Sequence, residues 1–277
     1  MKFLYTIEKL VSYLLYFTGV YWFAHRRLAK SGAAVVVVYH RVLAGRRGAG
    51  EMAGEDAFAW QMRYLRERCR PVGWPKICER GAGGGIRVLV TFDDGYRDNF
   101  TRAMPVMEQN EIPGIFFVVT DFVFDGREPG RGEGDVAADD GLVPSKSELE
   151  AANRSPWITI GNHTASHTIA SQSGVTEFDA EIERSQARLR EEFGDAPRVF
   201  AWPRGRSEDL TQQALEVLER HGIEAAFTMV PGRISGTESP YFLPRTGMSH
   251  VNDSIVFKVK LVGLLGPFVK IKNALGA

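Results

Sequence analysis

Three things are scarce in this chain of 277 residues: cysteine, net charge, and apolar stretches long enough to span a bilayer. Cysteine occurs twice, at Cys69 and Cys78, and neither has His or Cys companions at metal-ligand spacing. Two thiols cannot build the disulfide framework of a small secreted domain, so they are read as free. Lys and Arg together number 34 and Asp and Glu 34, a formal net charge of zero, so the overall balance carries no electrostatic footprint of a nucleic-acid binder. The almost uncharged stretch Leu10 to Ala24 is fifteen residues long. A transmembrane helix needs about 20. The stretch also lacks the small-residue cleavage site of a signal peptide.

What is present suits one large core, since hydrophobic residues make up 44% of the chain. Apolar runs at 34–41, 86–93, 112–120, 157–163, 198–202 and 225–229 read as strands, and patterns at 56–69, 96–110, 176–193 and 207–221 read as helices. Strand and helix alternate, which predicts a parallel sheet covered by helices. Residues 1–33 and 251–277 stand apart as terminal segments around a body at 34–250. The Gly- and acid-rich part of 121–156 reads as a loop or lid, and Ser145 with Glu148 has the spacing of a capping box.

The chemistry concentrates at strand ends. Val88-Leu89-Val90-Thr91-Phe92 runs into Asp93-Asp94-Gly95, and two adjacent carboxylates are costly unless a cation or a proton relieves them. Ile158-Thr159-Ile160-Gly161-Asn162 runs into His163-Thr164-Ala165-Ser166-His167. One carboxylate and two imidazoles form a three-donor set for a divalent cation with positions left open. The i, i+4 spacing of His163 and His167 brings both rings to one centre if the segment makes a helical turn. Zinc suits these donors, as do cobalt, nickel and iron. All these residues lie at C-terminal strand ends, the active rim of a β/α barrel.

Thr91-Phe92-Asp93-Asp94-Gly95 and His163-Thr164-x-x-His167 resemble the two signature motifs of the polysaccharide deacetylases, carbohydrate esterase family 4, in their expected order. The resemblance covers roughly residues 34–250. It implies a distorted, incomplete (β/α) barrel with about seven parallel strands. It also implies Asp93 as general base, Asp94, His163 and His167 as metal ligands, and zinc as the metal. The implied reaction is metal-dependent hydrolysis of the N-acetyl group of an amino sugar, with release of acetate.

Phe200-Ala201-Trp202-Pro203-Arg204 resembles a third motif that walls the site, which makes Trp202, Pro203 and Arg204 candidate substrate-binding residues; the alternative is a simple strand-to-helix turn with Trp202 in the core. The arginine usual two positions before the proline is here Ala201. Arg204 replaces a frequent tyrosine, and its backbone N–H is the candidate oxyanion donor. Leu243-Pro244-Arg245 resembles the exopolysaccharide-cluster branch, so Arg245 is either a replacement partner for Asp93 or a surface arginine. Met248-x-His250 loosely imitates a late Leu-x-His motif, so His250 is either a general acid or an exposed loop residue. His40, ending the first apolar run, is either a substrate or supporting contact or an ordinary structural histidine.

The terminal segments add a partner. Leu10 to Ala24 is rich in aromatic and aliphatic residues and is followed by His25-Arg26-Arg27, the pattern of an interfacial helix; residues 254–277 carry four lysines and no acid. Two alternatives follow: docking on an anionic membrane surface, or packing against the barrel. The expected location is the bacterial cytoplasm, at the inner face of the membrane. Rival functions are an O-acetyl esterase or other amide hydrolase on the same scaffold, and a non-catalytic glycan-binding or scaffold protein.

Overall fold

The structure, a computed structural model, describes residues 2–44, 52–127, 141–248, 251–266 and 268. Its strands are β1 (Ala34–Tyr39), β2 (Arg41–Leu43), β3 (Met52–Gly54), β4 (Arg70–Pro71), β5 (Arg87–Phe92), β6 (Gly114–Val118), β7 (Ile158–Asn162), β8 (Val199–Ala201), β9 (Ala225–Phe227) and β10 (Thr246–Gly247). Its helices are α1 (Lys2–Phe17), α2 (Val20–Ser31), α3 (Glu55–Arg68), α4 (Met104–Gln109), α5 (Thr120–Asp125), α6 (Lys146–Arg154), α7 (Val175–Phe193), α8 (Gln212–Arg220) and α9 (Ser254–Leu261). Seven strands form one curled, wholly parallel sheet in the order β10-β1-β5-β6-β7-β8-β9, with β4 added beside the start of β5. This is the distorted, incomplete barrel expected from the motifs.

Alternation along each strand decides what faces inward. Ala34 and Val36, Leu89, Ile115 and Phe117, Val199 and Ala201, Ala225 and Phe227 join one cluster that contains no helical residue of the α layer, the barrel interior. Their neighbours Val35, Val37, Val88, Val90, Phe116 and Val118 pack outward against Phe58, Met62 and Leu65 of α3 and Met107 of α4. Phe200 and Trp202 sit outward under α7 and α8, with Phe178, Ile182 and Val217. Because strand side chains alternate with period two, residues 91 and 93 continue the inward row of Leu89, and residue 163 continues that of Thr159 and Gly161.

The barrel closes through a short seam. Leu243 bridges to Phe227 of β9, and three residues later Thr246 pairs with Val37 of β1. The same stretch of chain therefore touches both free edges of the sheet. Thr228 N–H donates to the Leu243 carbonyl (2.8 Å), Arg245 N–H to Val230 (3.1 Å) and Met248 N–H to Val38 (2.8 Å).

Two expected helices begin differently. Helical structure in the 96–110 pattern starts at Arg97, passes through a π-helical turn, Asn99–Ala103, and continues as α4 from Met104. Pro105 has no N–H to donate back to residue 101, so the regular ladder is interrupted there. The 207–221 pattern divides into a 3-10 turn (Ser207–Asp209) and α8, which Thr211 caps through Ala214 N–H. The predicted capping box at Ser145 and Glu148 is present in both directions. Of the expected lid, residues 128–140 lie outside the described residues. Cys69 and Cys78 are free, and burial pushes their thiols up to about 12 and about 11 respectively, which keeps them protonated.

Helices α1 and α9 meet on the outside of the barrel. Within α9, Val256, Phe257, Val259 and Leu261 are buried, so the apolar side chains of this helix pack inward. Asp253 caps α9 through Ile255 and Val256 N–H (2.9 and 3.2 Å) and also holds α1, accepting from Tyr13 (3.0 Å) and pairing with Lys9 (3.1 Å). Burial pushes the Asp253 carboxyl up, but the Val256 N–H, Lys9, Tyr13 and the Ile255 N–H outweigh it and hold it below its ordinary value. A depressed carboxylate stabilises the fold above its unfolded-state pKa and loses that contribution as pH falls through the folded-state value. Asp253→Ala is expected to cost about 1–2 kcal/mol in urea denaturation at neutral pH. The gap from wild type should close as the pH drops below the ordinary carboxylate range.

Candidate metal centre and the neighbouring carboxylate

At the end of β5 the backbone turns through two successive left-handed residues, Asp94 (φ 73°) and Gly95 (φ 84°). Asp93 keeps the inward parity of its strand, with its N–H on the Tyr39 carbonyl (3.1 Å). The left-handed step swings Asp94 out of that row, so the adjacent carboxylates serve different partners. Gly95 is required on two counts. Its φ is unfavourable for other residues, and a Cβ there would stand 2.7 Å from Val123 Cγ1 and 3.0 Å from Val118 Cγ1.

His163 and His167 do not share a helical turn, contrary to the spacing argument. The segment is a loop in which Thr164 (φ 67°) and His167 (φ 65°) are left-handed. This loop still brings the two rings to 4.9 Å between centroids. Each Nε2 lies 3.6 Å from Asp94 Oδ1, and one donor atom from each of the three residues falls within 4.8 Å of the others. The donors are deeply placed: Asp94 and His163 are buried and His167 half-buried. His163 Nδ1 lies 2.8 Å from the Ala201 carbonyl; a proton there leaves the Nε2 lone pair facing the cluster. One hard carboxylate oxygen and two imidazole nitrogens at this spacing fit a single divalent cation about 2 Å from each donor.

The strained loop is held by residues that the motifs did not indicate. Asn162 Oδ1 accepts from Thr164 N–H (2.7 Å), while its amide donates to Ser185 (2.8 Å) and Gln186 (3.1 Å) of α7. Glu181 of α7 accepts from the N–H and hydroxyl of Ser166 (2.8 and 3.0 Å). The first N–H groups of α5, from Thr120 and Asp121, donate to the carbonyls of Thr164 and Ala165 (3.3 and 2.9 Å). The available signal was in α7, where Glu181, Ser185 and Gln186 interrupt the buried stripe of Phe178, Ile182 and Leu189.

Asp93 meets Arg245 in a two-pronged pair, with Nη1 to Oδ1 at 2.6 Å and Nη2 to Oδ2 at 2.7 Å. Arg245 is fully buried. Its Nε donates to the Thr228 carbonyl (3.0 Å), Nη1 reaches Thr91 Oγ1 (3.3 Å), and the guanidinium lies over the Phe117 ring at 5.5 Å. Burial pushes the Asp93 carboxyl up, but Arg245, with His163 and His40, more than offsets it and holds the group below its ordinary value. Asp93 is therefore a carboxylate even though it is shut away from water.

The remaining candidates divide. His40 is buried at the end of β1, and its carbonyl accepts from Asn99 Nδ2 (2.8 Å). Pro203 is buried, and Arg204 (φ 59°) turns its guanidinium onto Asp209, with Nε to Oδ2 at 2.9 Å, and onto Ser171. Among the described residues nothing accepts from the Arg204 N–H. Trp202 is 1% exposed, stacks on Phe178 (6.0 Å, 9° between planes) and donates Nε1–H to the Tyr241 carbonyl (3.0 Å). It carries the outward parity of β8, so it supports the rim from behind. His250 lies outside the described residues.

An incomplete parallel barrel with an Asp/His/His cluster and a buried acid–arginine pair at its strand ends is the architecture on which these observations converge. A family model described as polysaccharide deacetylase matches residues 80–226, just over half of the chain, and the chain belongs to that family. It is 24% identical over 215 residues to the poly-β-1,6-N-acetyl-D-glucosamine N-deacetylase of Escherichia coli K12, covering 66% of this chain and 31% of that protein. It is 25% identical over 162 residues to the putative polysaccharide deacetylase YxkH of Bacillus subtilis, covering 58% of this chain and 51% of that one. The chain thus spans between about a third and a half of the length of these curated relatives. Among solved structures, IcaB from Ammonifex degensii superposes with a TM-score of 0.65 at 27% identity, over 83% of this chain and 96% of that one.

Removing one partner of the buried pair leaves an uncompensated charge. Arg245→Met is expected to cost about 3–5 kcal/mol in urea denaturation, whereas Asp93→Asn/Arg245→Met together should cost much less. With Asp93→Asn measured alone as well, a double-variant loss equal to the sum of the two single losses would mean that the pair carries no coupling.

Proposed function

We propose that this protein removes the acetyl group from an N-acetylated amino sugar of a glycan, releasing acetate and a free amine. The observation that carries the reading is the juxtaposition of an ionised buried carboxylate, Asp93, with the three-donor cluster of Asp94, His163 and His167. Family membership and the named activity of the Escherichia coli relative support a polymer of N-acetylglucosamine as the first substrate to try.

In this reading Asp94, His163 and His167 hold a divalent cation, with zinc first by donor chemistry. When bound, such a cation acidifies water and polarises an acyl carbonyl. The protein's own groups do the rest. Asp93, kept ionised by Arg245, takes the proton from the attacking water as the new C–O bond forms. The Arg204 N–H, at a left-handed turn on the rim, is the candidate donor to the developing oxyanion. The protonated Asp93 can then pass that proton to the nitrogen as the C–N bond breaks. The carbonyl of Ala201 fixes the tautomer of His163, so the backbone contributes at the position where the family's usual arginine side chain is missing.

Two measurements test this. His167→Ala is expected to abolish uptake of one zinc per chain in calorimetric titration, and Asn162→Ala to weaken it by about 10–100-fold by releasing the loop. Acetate release should be followed on N-acetylglucosamine oligomers, lipid-linked amino sugars and O-acetylated glycans. Asp93→Asn is expected to keep the metal and lower kcat by about 10²–10⁴-fold. Loss of metal in Asp93→Asn would reverse the roles of the two aspartates, and release confined to O-acetyl substrates would make the protein an esterase.

A further inference from the structure

The described residues that are both large, apolar and well exposed fall, apart from Val175, in α1 and α2: Leu10 (66%), Leu14 (64%), Phe17 (73%), Val20 (41%), Trp22 (54%) and Phe23 (70%). Leu10, Leu14 and Phe17 stand at i, i+4 and i+7, one stripe of α1. The opposite side of the same helix is occupied, with Val11 and Leu15 packed on the core and Glu8 and Ser12 buried. The exposed stripe is therefore not left over from a poorly packed helix.

Gly19 (φ 85°) breaks the rod and starts α2 at once. Ring contacts fix the corner, with Tyr16 5.0 Å from Tyr21 and 5.7 Å from Trp22. Tyr21 and Leu28 anchor α2 in the core. The other side of α2 carries Phe23, then Arg26 and Arg27, then Lys30, again at i, i+3/i+4 and i+7. All three cations are exposed, and among the described residues no acid pairs with any of them. α2 contains no acidic residue.

A contiguous apolar surface of this kind marks an interaction site in a folded protein. We infer that the α1–α2 corner docks the protein on an anionic lipid bilayer, with Leu14, Phe17, Trp22 and Phe23 in the interfacial layer and Arg26, Arg27 and Lys30 on the headgroups. The charge pattern selects this occupant. Free cations bordering an apolar, Trp-containing face match a negatively charged membrane surface. In a two-fold contact between copies, by contrast, the same unpaired cations would confront each other. The mode is peripheral, because among the described residues no helix is long and apolar enough to cross a membrane. The inference is independent of the deacetylase reading.

The test is flotation of the full-length protein with vesicles of phosphatidylglycerol and phosphatidylethanolamine, and with phosphatidylcholine alone. Wild type is expected to float with the anionic vesicles, and raised salt should weaken that binding. Phe17→Asp/Phe23→Asp and, separately, Arg26→Glu/Arg27→Glu should reduce partitioning on the order of tenfold or more, with unchanged circular dichroism. The second pair keeps the inference testable if the first variant misfolds. Wild type that stays off anionic vesicles would overturn it. So would binding that both variant pairs leave unchanged, or a wild-type dimer in sedimentation that Phe17→Asp splits without any vesicle binding.

Discussion

Where the sheet's two free edges approach each other, a guanidinium and a carboxylate meet out of reach of water, and most of the site's geometry refers back to that meeting. Arg245 lies between the residue that touches β9 and the residue that pairs with β1. Its fork grips Asp93, its Nε holds the Thr228 carbonyl, and its face lies on Phe117 in the interior. A buried carboxylate alone would take up a proton, and a buried guanidinium alone would be an unpaid desolvation cost. Together they are tolerated, and they also give the barrel's short seam a reason to close in one register.

Around that pair, adjacent residues are sent to different tasks by backbone conformation. Asp93 follows the pleat, whereas Asp94 leaves it through a positive φ, so two like charges one residue apart do not compete for one partner. The histidine loop uses the same device at Thr164 and His167. Such conformations cost on the order of 1–3 kcal/mol each and persist only where surroundings enforce them. Here the enforcement is visible in Asn162, Glu181 and the first N–H groups of α5.

Much of this was legible in the residues. Each run of β-branched and apolar residues became a strand within a residue or two, because strands buried on both faces need such runs. The three metal-donor candidates do converge: His163 ends an inward-facing row, Asp94 directly follows one, and His167 is carried back by the left-handed loop. Other features were hidden for identifiable reasons. A two-residue strand such as Thr246–Gly247 carries no periodicity, so the seam could be suspected only from Leu243-Pro244-Arg245. The i, i+4 spacing of the histidines suggested a helical turn, but left-handed residues brought the rings together by another route. For Trp202 the motif left site wall and core both open, and alternation from Val199 and Ala201 places it with Phe200 and Phe178 on the outward face. Asn162 and Glu181 act through loop backbone, which no spacing rule exposes.

The seam has a consequence for how the molecule comes into being. Asp93 and Arg245 are 152 positions apart in the chain, so one of the closest contacts of the site is also among the latest that a growing polypeptide can make. Loop closure over such a separation is entropically slow, and until it happens the rest of the sheet can form with its edge open. Without that contact Asp93 would be a buried carboxyl with no guanidinium to hold it ionised. The charge state of a carboxylate at the end of β5 is thereby tied to the closing of a seam by a distant part of the chain.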